Sequence, residues 1–111
     1  MTGAREKLAA FIAAHREDFL RGLREKVATI ESLWEGAQRG EDASAKLQEL
    51  YRLAHSLNGT APTFGFAETG AVARELEATV KPLVAGAAPD DEARAAVTAL
   101  IAGLRGTLPP S

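Results

Sequence analysis

The chain has 111 residues, 13 of them basic and 15 acidic, for a formal net charge of −2. That length suits one compact domain and is too short for an ATP-binding domain beside an acceptor domain. The charge balance provides no bulk basic field for nucleic acid, and the absence of cysteine excludes disulfides and thiolate metal sites.

No sustained apolar/polar alternation marks a strand, whereas apolar residues recur at helical spacing. Only 5% of residues are aromatic, and alanine and leucine, both good helix formers, do most of the filling. The first predicted segment, residues 3–15, places Leu8, Phe11 and Ile12 on one stripe. Arg5, Glu6, Lys7, Arg16, Glu17 and Asp18 interrupt the first twenty residues, so these read as neither a signal peptide nor a membrane span. A soluble cytoplasmic domain without membrane or nucleic-acid partners is therefore expected, and the sequon Asn58-Gly59-Thr60 is read as chance.

The second segment, 16–38, carries Leu20, Leu23, Val27, Ile30 and Trp34 at steps of three and four, and Gly36 and Gly40 bracket its end. His15 falls at the junction and reads as an ordinary surface residue. The third segment, 43–61, repeats the pattern with Leu47, Leu50, Ala54, Leu57 and Ala61, with Asp42 or Ser44 as a cap and Pro62 as its stop. The fourth, 67–85, uses Val72, Leu76, Val80 and Leu83, with Pro82 limiting its last turn. The fifth, 90–105, presents Val97, Leu100, Ile101 and Leu104 behind an acidic start at Asp90 and Asp91. Short connections favour antiparallel neighbours. The expected fold is all-α: an antiparallel up-and-down four-helix bundle from segments two to five, with an extra N-terminal helix packed on as a lid. One domain is expected over residues 1–108, and 109–111 read as a frayed tail that begins to loosen at Leu108.

His55 lies about 100° round the third helix from the buried Ala54, at a flanking or exposed position. Tyr51, Arg52, Asn58 and Gly59 are its neighbours on that face. A glycine inside a helix costs roughly 0.5–1 kcal/mol against alanine. One reason to keep Gly59 is access, because a partner's backbone or a phosphate can then approach the imidazole. Periodicity alone leaves the alternative of a plain surface histidine and an early helix-breaker.

The run His55-Ser56-Leu57-Asn58-Gly59-Thr60-Ala61, then Gly65, then Ala73, Leu76 and Glu77, resembles the histidine phosphotransfer (HPt) domains of bacterial phosphorelays. In that family the pattern is roughly His-x-Leu-Lys-Gly-x-Ala/Ser, a glycine ten residues after the histidine, and Ala-x-x-Leu-Glu on the next helix. The resemblance implies a phosphocarrier without kinase activity of its own, in which His55 accepts a phosphoryl group from a receiver-domain aspartate or a hybrid histidine kinase. No cofactor is implied on this chain, and Mg²⁺ is expected on the partner receiver. A histidine of ordinary basicity is largely neutral at pH 7, which leaves one ring nitrogen free as nucleophile. Phosphoryl transfer asks chiefly for positioning and charge stabilisation.

Glu77 is reached a second way. A helical hairpin centred near residues 64–66 reflects residue 55 about position 66 onto residue 77, so the two share one height. In similar domains a Glu or Gln at this place accepts a hydrogen bond from the imidazole and fixes its tautomer. The departure from the family pattern is Asn58, which brings no charge where lysine is usual. Arg52 and Arg74 are candidate replacements, and Tyr51 and Phe64 are candidates to frame His55 as a docking rim. A degenerate adaptor that binds receivers without taking phosphate is the alternative reading. A histidine-kinase dimerisation region fits less well, since Ser56 and Thr60 stand where an acidic residue and a proline are usual. A monomer is expected.

Overall fold

Ala13-Ala14-His15-Arg16-Glu17-Asp18 contains neither proline nor glycine, so nothing there obliges the backbone to leave a helix. In the structure, a computed structural model describing residues 3–110, helix α1 accordingly runs unbroken over Ala4–Gln38. The two N-terminal segments are thus one helix, and the expected separate lid does not exist. At 1.5 Å per residue, 35 residues span about 52 Å. The molecule measures 57 × 27 × 21 Å, elongated along this helix. The first turns of α1 do not cover the core: Leu8 and Phe11 are 58% and 55% exposed, and the Phe11 ring lies against His15.

Helix α2 spans Ala43–Thr60, a short 3-10 turn follows at Pro62–Phe64, α3 spans Ala67–Val84 and α4 spans Asp91–Gly106. Asp42 stands at the start of α2 with φ 49°, without a side-chain capping bond. Asp90 caps α4 properly, its carboxylate accepting from the Ala93 N–H at 2.7 Å. Pro82 falls inside the last turn of α3, where the helix is about to end.

Contacts between helices fix their directions. Trp34 donates to Thr98, Arg105 to Glu31 and Arg24 to the Pro109 carbonyl, so α4 ascends as α1 descends. Phe19 of α1 stacks on Phe64 beyond the end of α2, while Gly36 abuts Lys46 at its start. Thr69 pairs with Thr107 across α3 and α4. The predicted stripes meet in one core, where Val27, Ile30, Leu50, Ala54, Leu57, Leu76, Val80, Val97 and Leu104 are wholly buried. Leu20, Val72 and Leu100 are only partly covered. Leu53, Phe66 and Leu108 also join the core, outside the predicted stripes. The burial of Leu108 and the hold of Arg24 on Pro109 correct the expectation of a frayed end there. Ser111 lies outside the described residues.

Two backbone features set the α2–α3 hairpin. Gly65 ends the 3-10 turn at φ +90°, a conformation that favours glycine. Gly70 is buried against Pro62, where an added Cβ would stand 2.6 Å from Pro62 Cγ and 2.8 Å from Cδ. A proline ring cannot swing aside as a lysine end does, so the helices themselves must separate. Gly70→Ala is expected to destabilise the fold by about 1–3 kcal/mol, the usual range for overpacking. The helix propensity gained by alanine offsets only part of this. Urea denaturation checks it.

Candidate functional site

His55 lies on α2 next to the buried Ala54, and its side chain is 69% exposed. The hairpin places Pro62 opposite Gly70 and His55 opposite Glu77, both pairs sharing residue 66 as midpoint. Glu77 is only 17% exposed, because its neighbours Leu76 and Ala73 are buried in the core and hold this face of α3 against α2. His55 Nδ1 lies 2.7 Å from Glu77 Oε1. A carboxylate is acceptor only, so Nδ1 carries the hydrogen, and in the neutral imidazole Nε2 is then the nitrogen with the lone pair. Among the described residues, no hydrogen bond engages Nε2.

The second carboxylate oxygen is also occupied. Asn58 Nδ2 donates to Glu77 Oε2 at 3.4 Å. The Tyr51 ring lies 6.5 Å from the imidazole centroid, nearly parallel to it. An open groove of about 280 Å³ runs between α2 and α3, lined by Tyr51, Asn58, Arg74, Glu77, Ala78 and Lys81. A Cβ at Gly59 would meet open space, so the chain's own packing does not require glycine there.

The structure thus brings together Tyr51, His55, Asn58, Arg74 and Glu77 from the sequence-derived set. Two members stand apart. Arg52 pairs with Glu49 one turn earlier on α2, and its hydrogen bonds hold the Glu49 carboxyl below the usual carboxylate range. Phe64 does not line the groove; it stacks on Phe19 of α1, with ring centroids 4.3 Å apart. Lys81 was missed by sequence reasoning. The same reflection about residue 66 that found Glu77 pairs Lys81 with Tyr51, and could have found it.

Four helices pack around one core and present an exposed imidazole in contact with a carboxylate of the neighbouring helix. The Hpt domain family matches residues 15–107, and the chain belongs to that family. Hpt domains act in histidine phosphotransfer within phosphorelays, with receiver domains and histidine kinases as partners, and are phosphocarriers rather than enzymes. The match omits the first turns of α1, the stretch that projects past the core with Leu8 and Phe11 exposed. Comparison with curated proteins and with solved structures gives no match. Among the described residues, no helix is long and apolar enough to cross a membrane.

Proposed function

We propose that this domain relays a phosphoryl group through His55, receiving it from a receiver-domain aspartate or a hybrid histidine kinase and passing it to a further receiver. The observation that carries this reading is the 2.7 Å contact between His55 Nδ1 and Glu77, which turns Nε2 toward solvent. Nε2 attacks the phosphorus of an aspartyl phosphate. The new P–N bond forms as the P–O bond to the acyl oxygen breaks, and the receiver's carboxylate leaves with the electron pair. The ring becomes an N-phosphorylated imidazolium that keeps its hydrogen on Nδ1. Glu77 faces that hydrogen and offsets the new positive charge. The receiver brings Mg²⁺ and the aspartate; this chain brings position. The helix contacts support an antiparallel up-and-down bundle as the frame, and open space at Gly59 leaves a path for the partner. The domain acts as a cytoplasmic monomer in this reading.

Incubation with a phosphorylated receiver tests it. The expected product is an acid-labile, base-stable adduct on this chain. Asn58 in place of the usual lysine favours a second reading, an adaptor that binds receivers without accepting phosphate. Tight receiver binding with no adduct, unchanged in Asn58→Lys, would decide for the adaptor.

A further inference from the structure

Asn58 leaves the α2 face without a cation one turn from His55, and Arg52 is committed to Glu49. The Asn58 amide donates to Glu77 Oε2 while His55 Nδ1 engages Oε1, so both oxygens of the carboxylate have a partner. Two cations line the groove from the other side. Arg74 lies three residues before Glu77 on α3 and Lys81 four after it, which sets all three on one helix face. At 1.5 Å per residue they stand about 4.5 and 6 Å along the helix on either side of Glu77, which is level with His55. Their long, flexible stems reach over such distances. Among the described residues, neither makes an ion pair, although Glu77 lies between them; its oxygens face His55 and Asn58. Both side chains are exposed at the groove and free to turn toward an anion.

We propose that Arg74 and Lys81 together face the phosphoryl oxygens on His55, supplying from α3 the positive charge that α2 lacks. This rests on the reading of His55 as acceptor. A group carrying two negative charges on Nε2 sits between two cations above a groove walled by Tyr51 and Ala78. The same pair attracts the anionic donor before transfer, so it acts on the rate of phosphorylation itself.

Phosphoramidate tests this without a receiver. Nε2 forms the new P–N bond as the P–N bond of phosphoramidate breaks and ammonia leaves. Labelling rates are compared for the wild-type chain, Arg74→Met, Lys81→Met, the double variant, and the charge-keeping Arg74→Lys and Lys81→Arg. The double variant is expected to label roughly tenfold more slowly, the order set by two partly screened charges facing an anion. The charge-keeping variants should stay within about twofold of wild type. Added salt should slow the wild type and leave the double variant nearly unchanged, a response that a loss of packing does not produce. A double variant that labels at the wild-type rate overturns this inference alone. No label on wild-type His55 overturns the acceptor reading and this inference with it.

Discussion

His55→Gln is expected to abolish phosphoryl labelling while leaving the fold intact. Glutamine can still hydrogen-bond to Glu77, but an amide has no nitrogen lone pair available for attack at phosphorus. The side chain it replaces is 69% exposed and belongs to no core contact, so the stability change should stay within about 0.5 kcal/mol. Thermal denaturation followed by circular dichroism checks that half of the expectation. His15 serves as the internal control. It is equally a histidine and is exposed, but it lies against Phe11, and among the described residues no carboxylate hydrogen-bonds to its ring. Residual label on the His55→Gln chain would point to His15 and dismantle the site assignment.

Changes at Glu77 should give the next largest effect, graded by how many acceptor oxygens remain. Glu77 offers one oxygen to His55 and the other to Asn58. Alanine removes both acceptors, frees the ring to rotate and to exchange tautomers, and leaves Asn58 without its partner. A labelling rate lower by about 10²-fold is expected, comparable with the loss from a misplaced reacting group. Glutamine keeps one acceptor oxygen, for which His55 and Asn58 must compete, and it lacks the charge that faces the phosphoimidazolium. A loss of about tenfold is expected there, consistent with the removal of one charge-assisted hydrogen bond. Phosphoramidate labelling of the two variants beside wild type measures the gradation. Equal rates for all three would show that Glu77 does not orient the ring.

The hairpin was the most legible part of the sequence. Residues 55 and 77 are far apart in the chain, yet one midpoint and a constant helical rise suffice to place them together, and the structure keeps that midpoint at residue 66. Core stripes were legible for the same reason: a 3.6-residue period declares which face is buried. Other features lacked such a signal. The boundary expected at His15 had no breaker behind it, and in its absence Ala13 through Asp18 simply continue the helix. Phe64 sits four residues beyond the end of α2, and only the packing of α1 across that end decides that it stacks on Phe19 rather than beside His55. Arg52 had a rival in Glu49 at i−3, a local pairing available in any helix. Leu108 followed the last predicted helix and preceded two prolines, so its burial depended on where α1 runs, which the local pattern does not encode. The role of Asn58 is the same kind of case. The sequence shows a missing charge, and only the geometry shows the amide turned to Glu77.

The linkage of the phosphoryl group tests the central claim most directly. The ¹⁵N-labelled chain, phosphorylated by phosphoramidate, can be read by ³¹P–¹⁵N correlation in base, where the adduct persists. Coupling of phosphorus to Nε2 of His55, with Nδ1 still bearing hydrogen, is the predicted result, because Glu77 holds Nδ1. Phosphorus on Nδ1, or on any residue other than His55, would contradict the account.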